Sequence, residues 1–283
     1  MAAIILMSQP IARKQVLVVL GAAVAVAVSG LGAHALWGSA GLVVPMALGV
    51  AAIVLAVFES RAYQHAIYLR VLQEQRSTYT QIESLIGVTQ AIDPVLPLPA
   101  MRSWAASPDL LRVIVSRILA DKTASVLEAS SGVSTLVIAY CMKRNGAGKV
   151  VALEHDPEYA QRTRDALAEH GLLNFAEVID APLVRQQVGA DTHLWYDLRH
   201  ARLPSTIDLL VVDGPPDTSQ HMARYPAVPL LNHLLKPGAL VLLDDGARAD
   251  ERAAAKRWAE SIPGSTLRYL ELEAGAWMLR MPA

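Results

Sequence analysis

Between Ser125 and Asp156 the chain reads as strand, tight turn, helix and second strand. Ser125-Val-Leu-Glu128 is the first strand and Lys149-Val-Val-Ala-Leu-Glu154 the second; the turn is Ala-Ser130-Ser-Gly132-Val-Ser134-Thr. Such a unit suits an adenosine-containing cofactor. Small residues let the backbone come close to a ligand, and the helix start after the turn offers free N–H groups. Glu154, at the tip of the second strand, can accept hydrogen bonds from both ribose hydroxyls. An α/β unit without a ligand has the same outline, so the rest of the chain must decide.

Downstream, short apolar runs alternate with helical stretches. The runs are Ser125–Glu128, Val150–Glu154, Ala176–Ile179, Ile207–Asp213 and Ala239–Asp244. That alternation implies a parallel sheet covered on both faces. Two last runs, Thr266–Leu270 and Ala276–Arg280, have no helix between them and read as an antiparallel pair at the edge. Ser107-Pro108-Asp109 opens a helix to about Ala120, with Ser107 as N-cap and Pro108 in the first turn. In such sheets ligands sit at the carboxyl ends of the strands. Acids stand at each of these tips: Glu128, Glu154, Asp180 before Ala181, Asp213, and the pair Asp244-Asp245. One or two would serve only to solvate a strand end or cap a helix.

The glycines exclude a dinucleotide fold of the G-x-G-x-x-G type. Aligned on the first acid, the pattern is Glu128-x-Ser130-x-Gly132-x-Ser134, which resembles motif I of class I S-adenosylmethionine-dependent methyltransferases. Two of that motif's three glycines are serine here. Ser134 is suited to a helix start, whereas Ser130 carries a Cβ where the family has glycine. Further segments resemble bacterial proteins of the same class: Trp104-Ala-Ala-Ser-Pro-Asp109, Leu-Glu154-His-Asp-Pro-Glu-Tyr159, Trp195-Tyr-Asp197, Val-Asp213-Gly-Pro-Pro216, Arg224-Tyr-Pro226 and Leu-Asp244-Asp245. The resemblance covers residues 98–280. It implies a seven-stranded sheet of order 3-2-1-4-5-7-6. It also implies S-adenosylmethionine as cofactor, held by Glu128, Ser130, Gly132, Ser134, Glu154, His155, Asp180 and Ala181.

Catechol-type and several sugar O-methyltransferases place magnesium between an Asp after strand 4 and an acidic pair after strand 5. Asp213, Asp244 and Asp245 fall at those positions, and hard oxygen ligands of this kind suit Mg²⁺. The same three acids could instead serve as base and cap. The candidate catalytic residues are Asp213 and His221, the latter as a general base in the loop after strand 4. Tyr196, Asp197, Arg224 and Tyr225 are candidates to shape the acceptor pocket.

Apolar content is concentrated at the front. Mean hydropathy is +0.32, and the residues from Val16 to Trp37 and from Gly41 to Phe58 include no Asp, Glu, Lys or Arg. Each is about long enough, as a helix, to cross roughly 30 Å of hydrocarbon. Only Gly38-Ser39-Ala40 links them, so they read as a transmembrane helical hairpin. A signal peptide ending near Ala33-His34-Ala35 is the competing reading. Arg13 and Lys14 precede the first segment, and Arg61, Arg70 and Arg76 follow the second, which puts both ends on the cytoplasmic side of an inner membrane. Between Ser60 and Ile92 a 4-3 spacing of Val71, Gln75, Thr78, Ile82, Leu85, Thr89 and Ile92 allows a homodimer through residues 64–92. A net charge of −1 argues against a nucleic-acid partner held by bulk electrostatics. The single cysteine, Cys141, permits no intrachain disulfide and reads as a small buried hydrophobe.

The expected organisation is therefore a cytoplasmic N-terminus (1–15), a transmembrane hairpin (16–59), a helical segment with a Pro-rich linker (60–97) and a class I methyltransferase domain (98–283). The function it suggests is O-methylation of a small-molecule or lipid-linked glycan acceptor. The alternative is a non-catalytic membrane adaptor that retains the fold.

Overall fold

The structure, a computed structural model, describes residues 13–283; most of the segment 1–15 lies outside the described residues. The chain divides into two compact units, with the boundary between Gln75 and Arg76.

In the first unit, helix α1 (Arg13–Trp37) leads through a 3-10 turn (Gly38–Leu42) into helix α2 (Val43–Ile92). Gly41 lets the turn close against α1, since a Cβ there would overlap the Ala33 carbonyl; at Gly30, facing Pro45, and at Gly49, facing Val26, a Cβ would make ordinary contact. The stretch Ala23–Ile92 contains a helix long and apolar enough to cross a membrane.

The second unit begins earlier than the Pro-rich linker suggests, because the end of α2 packs into it. Gln81, Ser84, Val88 and Ile92 are buried, and the Gln81 side-chain carbonyl accepts the Asp109 N–H at 3.1 Å. One position of the 4-3 stripe is thereby taken up. Ile92 is in the core, and the Thr89 hydroxyl bonds back to the Leu85 and Ile86 carbonyls. Ile82 and Leu85 stay exposed.

Helix α3 (Pro108–Asp121) starts where Ser107-Pro108 places it. Ser107 has the extended backbone of an N-cap, but its hydroxyl donates to Asp109 Oδ1 at 2.6 Å instead of accepting a helix N–H. Then follow β1 (Ser125–Ala129), α4 (Val133–Asn145), β2 (Lys149–Glu154), α5 (Pro157–Glu169), β3 (Ala176–Asp180), β4 (Leu183–Val188) and β5 (Asp191–Tyr196). The chain ends with β6 (Ile207–Val212), α6 (Ala227–Leu231), β7 (Leu235–Leu243), α7 (Ala249–Ser261), β8 (Thr266–Leu270) and β9 (Ala276–Arg280). Seven strands form one sheet in the order β3-β2-β1-β6-β7-β9-β8, with β9 antiparallel to both neighbours. This is the expected 3-2-1-4-5-7-6 order.

Successive strand residues face opposite sides. Val126, Val150, Ala152, Leu209 and Val211 face α3, α4 and α5, with Cys141 buried among them. Leu127, Leu153, Leu210 and Val212 face α6 and α7. The pair β4–β5 is a separate antiparallel sheet that the apolar runs did not announce. Its strands Leu-Val-Arg-Gln-Gln-Val and Asp-Thr-His-Leu-Trp-Tyr are half polar, as an exposed ribbon requires.

Candidate active site

A cleft of about 1090 Å³ opens at the carboxyl ends of the central strands. One wall is the turn between β1 and α4. Ser130 there has φ +122°, a conformation that glycine adopts without strain and a residue with Cβ does not. The departure from the family motif thus falls on the one serine that pays for it. Ser134 is not the cap: Gly132 occupies the N-cap, and its N–H donates to Thr135 Oγ1 at 3.1 Å. The Thr135 hydroxyl in turn donates to Glu128 Oε2 at 2.6 Å. Thr135 was not singled out from sequence, although its place three residues after a helix start is the capping-box position.

Glu128 therefore lies under the turn and not on the cleft wall. It is fully buried, and burial pushes its carboxyl up to about 7 against the bonds from Ser134 and Thr135, which lower it. Its unfolded value is near 4.5, so between about pH 4.5 and 7 the folded state keeps a proton that the unfolded state has released. Stability falls as pH rises through that window. Glu128→Gln should flatten the fall and gain on the order of 2 kcal/mol at pH 8 but little at pH 5. Thermal melts at the two pH values check this.

Glu154 is the hub of the wall formed by the turns after β1 and β2. Its Oε2 accepts the Ser131 N–H and hydroxyl, each at 3.0 Å, and its Oε1 accepts the N–H groups of His155 at 2.9 Å and Asp156 at 3.1 Å. The His155 ring lies with Nδ1 3.0 Å from Oε1. Burial pushes the Glu154 carboxyl up, but these bonds outweigh it and hold it below the usual range. The same contact raises His155. Glu154, His155, Ser130, Gly132 and Ser134 all line the cleft. Asp180 and Ala181 do not. Asp180 points to Arg164, 2.6 Å away, and Ala181 is fully buried with its N–H on the Glu154 carbonyl.

The opposite wall is acidic. Asp213 and Asp244 follow β6 and β7, and with Asp245 their carboxylate oxygens lie within 4.8 Å of one another. Arg224, only 5% exposed, enters this cluster. Its Nη2 lies 2.8 Å from Asp245 and 3.3 Å from Asp213, its Nη1 donates to the Asp244 carbonyl at 3.1 Å, and Nε lies 3.8 Å from Glu251. Arg248 adds a second contact to Asp245 at 2.9 Å. Four acids thus face two guanidinium groups. Burial first, then the neighbouring carboxylates, pushes Asp213 up to about 7 and Asp244 up to about 8.

His221 is not part of this wall. Its side chain is 82% exposed and pairs with Asp250 at 2.9 Å, outside the cleft lining. Asp197 pairs with Arg199 in solvent, and the Tyr225 carbonyl accepts the Trp258 indole N–H. Of the four pocket candidates, Tyr196 and Arg224 reach the cleft.

Residues 129–246, which carry both walls, match the family model of a methyltransferase domain. Comparison with curated protein sequences finds no match. Among solved structures, a methyltransferase of Podospora anserina with bound S-adenosylhomocysteine is similar at TM-score 0.53 and 17% identity, over 75% of this chain and 96% of that one. An O-methyltransferase of tomaymycin synthesis from Streptomyces achromogenes, in complex with S-adenosylmethionine, gives TM-score 0.49 and 16% identity over 74% and 96%. The strand order, the motif I turn facing Glu154 and the matched segment converge: the unit from Arg76 to Ala283 has the Rossmann-like methyltransferase fold, and residues 129–246 within it match a methyltransferase domain.

Proposed function

We propose that the protein is a membrane-anchored O-methyltransferase acting on a hydroxyl of a small molecule or lipid-linked glycan. The observation that carries this reading is the shared cleft. The turn and Glu154 form one side, and Asp213, Asp244 and Asp245 form the other. The first side suits the cofactor's ribose and amino-acid part. The second suits an acceptor oxygen that must lose its proton.

Methyl transfer from a sulfonium is an in-line displacement, so holding the acceptor in line is the main task. Asp213 faces the cleft beside the expected acceptor position and takes the hydroxyl proton. Arg224 fixes the orientation of Asp213 and Asp245. The donor set also fits magnesium. The ligands are hard oxygens, acids outnumber cations, and no guanidinium pairs with the Asp244 carboxylate among the described residues. Asp213, Asp244 and Asp245 would hold the ion, and the chemistry it supplies is a lowered pKa for the acceptor hydroxyl.

The anchor is part of the proposal. Large apolar side chains such as Leu31, Leu48, Ile53 and Phe58 are exposed along α1 and α2, which suits hydrocarbon. Their link through one short turn, with Arg13 and Lys14 at the start of α1 and Arg61, Arg70 and Arg76 in α2 beyond the apolar stretch, supports a transmembrane hairpin with the domain on the cytoplasmic side of an inner membrane. A tether raises the effective concentration of membrane-bound acceptors. The exposed Val71, Ile82 and Leu85 keep a homodimer through residues 64–92 within the proposal.

The test is formation of S-adenosylhomocysteine when the purified chain meets membrane extracts and S-adenosylmethionine. EDTA should lower the rate about tenfold, and Mg²⁺ should restore it. Full activity in EDTA would remove the metal. Recovery of the chain in the soluble fraction after alkaline extraction would remove the anchor.

A further inference from the structure

Asp245 stands in the acidic wall in a strained conformation. Its φ is +57°, a left-handed value that glycine takes freely and an aspartate holds only under constraint. The constraint comes from the two residues that follow. The Gly246 N–H donates to the Gly275 carbonyl at 2.9 Å, and the Ala247 N–H donates to the Ala274 carbonyl at 3.0 Å. The Gly246 carbonyl accepts the Trp277 indole N–H at 2.9 Å. A Cβ on Gly246 would lie 2.9 Å from Ala276, so the two segments touch closely. The turn between β8 and β9 is thus the mould for the turn after β7.

That mould is itself braced at two points. Asp109, in the first turn of α3, is only 4% exposed. Its Oδ1 accepts the Ser107 hydroxyl at 2.6 Å and the Leu110 N–H at 2.9 Å. Those two bonds are local to the helix start. Its Oδ2 instead accepts the N–H of Glu273, in the β8–β9 turn, at 2.8 Å. The Glu273 carboxylate in turn accepts Arg102 Nε at 2.9 Å and Nη2 at 2.5 Å. Glu273 and Ala274 line the cleft together with Asp245.

We propose that Asp109 is a positioning residue for the acidic wall, acting through the β8–β9 turn on the backbone of Asp245. The inference rests on the methyl-transfer reading above, in which that wall faces the acceptor, and names what keeps it in place. Oδ1 alone would serve the helix start; Oδ2 carries the link to the turn. If the turn relaxes, Gly246 and Ala247 lose their fixed acceptors and Asp245 leaves its left-handed conformation. Its carboxylate then moves relative to Arg224 and Arg248. Arg224 also touches Asp213, so the displacement reaches the residue assigned to the acceptor's proton. Misplacement by about 1 Å is enough to slow a positioned reaction severely. The opposite wall is outside this chain of contacts, because Glu154 is bonded to Ser131, His155 and Asp156.

The test is a split between rate and cofactor affinity on the 283-residue chain in detergent. S-adenosylhomocysteine formation is measured with S-adenosylmethionine and membrane extract, and S-adenosylmethionine binding by calorimetry, both well below each variant's melting temperature. Asp109→Asn keeps the Oδ1 acceptor and turns an N–H₂ toward the Glu273 N–H. It should slow product formation about tenfold and change S-adenosylmethionine affinity less than about twofold. Arg102→Ala removes the second brace from a half-exposed pair, where folding is not at risk. It should slow the reaction about threefold, again with affinity kept. A purely structural role would leave the rate per folded molecule unchanged. Wild-type rates in the folded variants, or a loss of affinity equal to the loss of rate, would overturn the inference; if Asp109→Asn does not fold, Arg102→Ala decides alone. A wild-type chain that formed no product would overturn the methyl-transfer reading, and this inference with it.

Discussion

Glu154→Ala is expected to weaken S-adenosylmethionine binding by about one to two orders of magnitude, roughly 1.5–3 kcal/mol. Its place at the tip of the second strand points to the ribose hydroxyls. The structure adds a second reason. Its carboxylate, on a residue 5% exposed, gathers the backbone N–H groups of Ser131, His155 and Asp156 and the Ser131 hydroxyl. Those donors belong to the turns after β1 and β2, the two turns that form one wall of the cleft. Alanine leaves them partly buried and unpaired, so stability should also drop by about 2–4 kcal/mol. Glu154→Gln separates the two effects. It keeps the carbonyl oxygen and the shape but brings an N–H₂ against other donors. Calorimetry with S-adenosylmethionine and a thermal melt on each variant make the measurement. Cofactor affinity equal to wild type in both would remove Glu154 from the binding site.

The features that could be read in advance are those set by local pattern. The parallel strands announce themselves because both faces are covered and the residues run apolar without a break. The strained turn residue was legible for a similar reason: the motif demands glycine at 130, and a serine there cannot hide its Cβ. What escaped depends on direction and return. Glu128 and Glu154 both stand near strand tips, but only Glu154 lines the cleft; Glu128 lies beneath the first turn of α4, bonded to Thr135. Linear order does not say which. The ribbon β4–β5 was missed because Arg185, Gln186, Gln187, Thr192 and His193 dilute any apolar alternation. Yet this ribbon carries Trp195 and Tyr196 into the core. His221 looked like the base because it is the one histidine in its loop, and it turned out to face solvent beside Asp250. Arg224, three residues later, turns inward. Its role follows from the acids of β7 and α7 returning to meet it, which no spacing in the chain records.

That inward turn gives Arg224 the largest expected effect on stability. Its guanidinium is buried and lies among Asp213, Asp245 and Glu251, with Asp244 beside them. Arg224→Ala leaves these carboxylates facing one another in a dry wall with only Arg248 in contact. Removing one partner of such a cluster costs about 3–5 kcal/mol. The loss should depend on pH in a defined direction. Asp213 and Asp244 are already pushed up to about 7 and about 8 with the arginine present. Without it, their carboxyls hold protons at still higher pH. The protonated acids no longer repel, so the variant should stand closest to wild type near pH 5 and furthest from it near pH 8. The metal proposal adds a second axis. If the three aspartates hold Mg²⁺, the ion should restore part of the variant's stability at pH 8, and its effect should shrink near pH 5, where the ligands are protonated. Thermal melts of wild type and Arg224→Ala at both pH values, each with EDTA and with Mg²⁺, test the charge argument and the metal separately. A loss independent of pH would mean that Arg224 acts through packing alone. A pH-dependent loss that Mg²⁺ does not relieve would leave the cluster as an ion-pair network without a metal.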